Sequence, residues 1–150
     1  MIKLQQITAF LIGLDLVAAE NIDTWVENPQ VVPRFTDLGD GQMIVYTQTY
    51  DAMIAIERYP HQVHDAELLF AQMCVWLIEN DESRLELNLP HPETDVTILD
   101  SKTADIDIVI RFEEDITAVE DESGPIAFQD KRYRLDGVTL SYAKEGEMAS

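Results

Sequence analysis

The chain has 150 residues, with 29 acidic against 10 basic side chains and a formal net charge of -19. A surface of that sign repels phosphate backbones and anionic lipids, which argues against direct nucleic-acid binding and against an acidic membrane as partner. The length suits one domain that builds a core without staples, and the single cysteine, Cys74, excludes an intrachain disulfide framework.

Leu4, Ile7, Leu11, Leu14 and Ala18 recur three and four apart, which predicts an amphipathic helix over residues 2–18. Residues 7–14 are fairly apolar, but Asp15 and Glu20 interrupt them and no small-residue cleavage site follows. No run approaches the roughly 18 apolar residues of a membrane span, so a soluble, intracellular protein is expected. Between 19 and 42, Asn28-Pro29, Pro33 and Asp40-Gly41 punctuate the chain. They predict a helical turn over Thr24 to Glu27, an irregular link, and a hairpin between Val32–Phe35 and Met43–Thr49 turning at Asp40-Gly41.

Tyr50 to Asp81 is the stretch around which the chain is organised. Ala52, Ile54, Ile56 and Arg58 alternate with Met53, Ala55, Glu57 and Tyr59, a strand signature that Pro60 ends. From Val63 to Asn80 the period becomes helical, with Asp65 and Glu67 at the expected N-terminus. Ala66, Leu69, Phe70, Met73, Cys74, Trp76 and Leu77 make a wide apolar surface, and only Asp65, Gln72 and Glu79 form a polar stripe. One sheet covers one face of such a helix, so the surplus calls for a second element or a second subunit. Cys74 reads as a small buried hydrophobe and Trp76 as core.

Ser83 to Asn88 reads as a short strand, broken by Pro90-His91-Pro92. Val96–Leu99 and Ala104–Phe112 form an antiparallel hairpin through Asp100–Thr103, with Ile106, Ile108, Ile110 and Phe112 inward and Asp105 and Asp107 in solvent. The acid-rich 113–123 stretch reads as a solvated loop or arm. Ile126–Phe128, Tyr133–Leu135 and Val138–Tyr142 are short strand candidates, and 145–150 is a tail. The fold class is α+β: a mostly antiparallel sheet with two packed helices, in one domain over 1–150 that is less ordered from about 113.

His61, His64 and His91 form a conceivable metal set, but two flank prolines in loops and surface positions suit them better. Asp105 with Asp107, or Glu113, Glu114 and Asp115, could be paired as acid and base; on a solvated strand face nothing raises a carboxyl pKa. Asp37, Gly39, Asp40 and Gly41 suggest a calcium loop that no glutamate closes. No phosphate loop, nucleophile elbow or dinucleotide turn occurs. The expectation is therefore a non-enzyme, with no catalytic, cofactor or metal residue assigned and no cofactor.

One set of features runs in order along the chain: the strand with Tyr50, Ile54 and Ile56, the helix ending Trp76-Leu77, Asp95-Val96-Thr97-Ile98-Leu99-Asp100, and Ala104-Asp105-Ile106-Asp107-Ile108. Phe112-Glu113-Glu114, Asp121-Glu122-Ser123-Gly124 and Tyr133 continue it. Over about residues 36–135 this order resembles the phage tail completion protein R family of contractile-tailed temperate phages. The resemblance implies a structural role late in tail assembly, at the head-proximal end, in the virion tail and in the host cytoplasm during assembly. It also implies tail-tube and head-connector partners and a homo-oligomeric ring, a hexamer by the symmetry of tails, of tail-terminator type. The alternative from composition is an acidic DNA mimic that binds a basic nuclease, motivated by nine acids against two bases between Asp100 and Glu122.

Overall fold

The computed structural model describes residues 1–136. Its elements run α1 (Ile2–Gly13), β1 (Ile22–Gly39), β2 (Gln42–Tyr59), α2 (Ala66–Asn80), β3 (Glu93–Ile98), β4 (Ala104–Glu120), β5 (Ile126–Phe128) and β6 (Lys131–Leu135). Short 3-10 turns occupy Ala19–Asn21 and Glu82–Arg84. The strands make a six-stranded sheet ordered β1-β2-β4-β6-β5, with β3 also paired to β4, so the α+β class holds. The chain divides into two compact units. One holds Lys3–Pro29 and Tyr50–Phe112 with Met1; the other holds Gln30–Thr49 and the chain from Glu113, with Ile2.

The first unit contains the apolar core. Alternation along β2 turns Tyr50, Ala52, Ile54 and Ile56 to one side, and alternation along β4 does the same for Ile106, Ile108, Ile110 and Phe112. Leu4, Ile7 and Leu11 of α1 and Leu69, Met73, Trp76 and Leu77 of α2 bury against them. Trp76 meets Phe112 edge-on, with ring centroids 6.3 Å apart, and Phe10 at 6.5 Å. The Tyr50 hydroxyl, inside this core, accepts a bond from the Leu4 backbone N–H at 3.2 Å, which satisfies both groups. The hairpin of β3 and β4 has the register Val96 opposite Ile106 and Ile98 opposite Ala104.

In the second unit, the turn between β1 and β2 has positive φ at both Asp40 and Gly41, 53° and 75°. Two left-handed residues in a two-residue loop match the twist of antiparallel strands, which is why Asp-Gly serves there. Glu120 donates its backbone N–H to the Gly41 carbonyl at 2.9 Å. The buried side chains include Met43, Ile116 and Ala118, but also Thr47, Gln48 and Glu114. Gln48 donates to Glu114 at 3.3 Å in this interior, while on the other face of the strands Thr47 accepts from exposed Arg34 at 2.8 Å and donates to exposed Asp115 at 2.7 Å. Phe35 stacks on Phe128 at 4.5 Å. Gly124 lies so close to the Tyr133 carbonyl that any Cβ would overlap the backbone, and only glycine fits.

Several expectations are corrected. The first helix ends at Gly13 rather than residue 18, because Asp15 turns left-handed with φ 56°. Thr24 to Glu27 is strand, not helical turn: Ile22, Thr24 and Val26 are partly buried while Asp23, Trp25 and Glu27 are exposed, a period of two. Met43–Thr49 and the following alternation are one strand, β2. The second helix starts at Ala66, after a turn through Val63 and His64, with Asp65 as its N-cap residue. Ser83 to Asn88 is a 3-10 turn and following turns, with Leu85 and Leu87 exposed. Cys74 is exposed, not buried. The 113–123 stretch is not a loop throughout: β4 runs on to Glu120, with Glu114, Ile116 and Ala118 inward. The candidate strand Val138–Tyr142 and the tail lie outside the described residues.

Candidate assembly surfaces

The residues considered for chemistry do not converge. His61 Nε2 lies 3.1 Å from the Asp100 carbonyl oxygen, His64 sits in the turn before α2, and His91 lines a depression beyond the end of α2. Among the described residues no group of three or more His, Cys, Asp or Glu is placed to hold a metal ion. Asp105 accepts the Arg58 backbone N–H at 3.0 Å, and Asp115 accepts from Thr47, so both serve as local acceptors. Asp107 is exposed, and Glu114 faces the interior while Asp115 faces solvent, as neighbours on a strand must. Asp37 accepts the Gly39 backbone N–H at 2.8 Å, closing a turn.

Asp100 performs the sharpest of these local tasks. Its Oδ1 accepts the backbone N–H of Lys102 at 2.8 Å, that of Thr103 at 2.7 Å, and the Thr103 hydroxyl at 3.0 Å. These donors favour the charged form and hold the carboxyl below the usual carboxylate range. The arrangement closes the turn between β3 and β4.

Sequence reasoning missed a buried charge cluster in the first unit. The Asp81 side chain is fully buried, with Lys3 Nζ at 2.6 Å on one oxygen and Arg84 Nη1 at 2.7 Å on the other. Arg84 also donates to the Pro90 carbonyl at 2.8 Å and the Arg111 carbonyl at 3.3 Å. The cluster ties the start of α1, the end of α2 and the irregular segment after it to β4. The Asp81-Arg84 spacing is visible in the sequence, but nothing there announces Lys3.

Several large apolar side chains are exposed on this acidic chain. On α2, Leu68, Val75 and Ile78 are exposed, together with Cys74. Of the apolar surface read from the sequence, Leu69, Met73, Trp76 and Leu77 are buried, Ala66 and Phe70 pack against the core and Cys74 is exposed; Leu68, Val75 and Ile78 form an exposed apolar stripe beyond that reading. β1 stands at one end of the strand order and exposes Val31, Val32, Phe35 and Leu38 in the second unit. Pro29 and Pro33 lack an N–H and blunt it as an edge for further strand pairing. Val96 and Ile98 of β3 are exposed in the first unit. Contiguous apolar surface rimmed by polar residues marks protein contacts. Two depressions accompany these faces. One, of about 350 Å³, lies in the second unit among Phe35, Asp37, Asp40, Glu120, Lys131 and Tyr133. The other, of about 340 Å³, lies in the first unit among Cys74, Ile78, Leu85, His91 and Pro92. No helix among the described residues is long and apolar enough to cross a membrane.

Comparison with known proteins places these faces in context. The family model described as P2 phage tail completion protein R (GpR) matches residues 1–137. Haemophilus phage HP1 (strain HP1c1) encodes a relative, an uncharacterized 19.2 kDa protein of the rep-hol intergenic region, 30% identical over 142 residues. The alignment covers 94% of this chain and 86% of the relative. No solved structure matches.

Proposed function

We propose that this chain, which belongs to the P2 phage tail completion protein R family, is a structural protein that finishes the tail at its head-proximal end. The family match across residues 1–137 carries the reading. The exposed apolar faces of α2, β1 and β3 support it, since a protein that works by assembly needs surface that another subunit will cover. On this reading residues 1–150 serve as one tail completion domain, and the protein acts without catalysing a reaction. Its partners are the tail tube and the head connector. It forms a ring, a hexamer by tail symmetry, through heterologous contacts that close on themselves. The net charge of -19 keeps free subunits apart in the host cytoplasm until the tail supplies complementary contacts.

The test is deletion of the coding sequence from its parent phage element, followed by electron microscopy of the induced lysate. Tails that fail to join heads, rescued by the gene in trans, are the expected outcome. Normal virions from the deletion would overturn the proposal. Light scattering on the purified protein should show monomers in dilute solution and larger species once tail tubes are added. Monomers at every salt and protein concentration, with no binding to tubes, would count against it.

A further inference from the structure

The outward face of α2 has a pattern of its own. Leu68, Ala71, Val75 and Ile78 follow one another at spacings of three, four and three, the a/d repeat of a coiled-coil seam. The buried residues Leu69, Met73, Trp76 and Leu77 occupy the opposite side of the same helix. A helix with two apolar faces needs two partners, and the core supplies only one. Leu68 is 42% exposed, Val75 49% and Ile78 72%. The seam continues past the end of the helix into the depression beside Cys74, Leu85 and Pro92, where Leu85 is 78% exposed.

The charges along the seam select what can cover it. The flanking positions carry Glu67, Gln72, Cys74 and Glu79, and α2 contains no lysine or arginine. A second copy of α2 brings no lysine or arginine to meet Glu67 and Glu79 and adds its own two glutamates, in a molecule already at -19. Like charges at the flanks of a seam disfavour pairing, whereas lysine or arginine there favours it. An anionic lipid surface is repelled for the same reason. We infer that the outward face of α2 docks an amphipathic helix of another protein, with an apolar a/d stripe and basic flanks. This goes beyond the family reading, which names no contact surface and no chemistry for one.

Cys74 provides the measurement. It is the chain's single cysteine, it is exposed, and it sits at the flank of the seam. A maleimide reagent therefore footprints this face on the full-length protein. The probe is a synthetic peptide of about three heptads with leucine at a and d and lysine at e and g; its control carries glutamate at e and g. The lysine peptide should slow Cys74 modification about ten-fold at ten times its Kd, by mass action, and salt should weaken the effect. The glutamate peptide should leave the rate unchanged.

Val75→Asp with Ile78→Asp alters exposed positions and should leave circular dichroism intact while abolishing protection. This variant adds negative charge, so diffuse attraction of a cationic peptide to an acidic protein would instead strengthen, and that result would overturn the inference. Equal protection by the two peptides would overturn it as well. So would protection that rises with protein concentration in the absence of peptide, which would assign the seam to a second copy.

Discussion

Asp81 is the residue on which the first unit's charged interior depends. Its carboxylate is out of reach of water and contacts two cations at once, so Asp81→Ala removes the one anion that both Lys3 and Arg84 share. Loss of one member of a buried ion pair costs about 3 kcal/mol or more, and urea denaturation should show that reduction. Asp100 differs, being fully exposed and held by donors rather than by burial. Its folded-state pKa lies below the ordinary aspartate value, so its contribution is present above that ordinary value and is lost as pH falls through the lower folded one. A carboxyl titration by NMR should place it below the ordinary aspartate range, and Thr103→Val should move it back toward that range by removing one donor. The turn at Asp100 was legible because one short segment contains every group involved. The Asp81 cluster was not, because it needs three segments that only the fold brings together.

At the scale of elements, α2 divides its side chains by consequence. Leu69→Ala or Trp76→Ala opens a cavity in the core at a cost of roughly 2 to 5 kcal/mol, whereas Gln72→Ala and Glu79→Ala should change stability by about 0.5 kcal/mol or less. Thermal or urea unfolding of the four variants checks this directly. The helix and the inner faces of β2 and β4 could be read from apolar period alone, since burial there is nearly complete on one side. β1 could not be read through, because Pro29 and Pro33 resemble loop punctuation and most of its apolar residues are exposed, with only Ile22 and Val26 partly buried. The far half of β4 was hidden by composition: Glu113, Glu114, Asp115 and Glu120 look solvated, yet Glu114 alternates inward with Ile116 and Ala118. Polar neighbours such as Gln48 make that burial tolerable, and a hydropathy pattern does not register them.

For the whole molecule, the acidic balance and the exposed apolar faces point the same way. On the proposed reading, charge of one sign would keep copies apart in solution, and exposed leucine, valine and isoleucine on α2, β1 and β3 would be covered by a partner of opposite charge. Which face of α2 stays open could not be read from the sequence, because the exposed stripe of Leu68, Val75 and Ile78 is distinguishable from the core face only once the core is known. The separation of Lys3 from Asp81 also bears on kinetics. The two residues stand 78 apart in the chain, so their pairing closes a long loop, an entropy cost that would place it after the local hairpins in folding. An interaction absent from the folding transition state acts on the barrier to escape. Lys3→Ala should therefore speed unfolding and leave the refolding rate unchanged, a split that stopped-flow fluorescence of buried Trp76 can resolve; a matching slowdown of refolding would mean that the pair forms early.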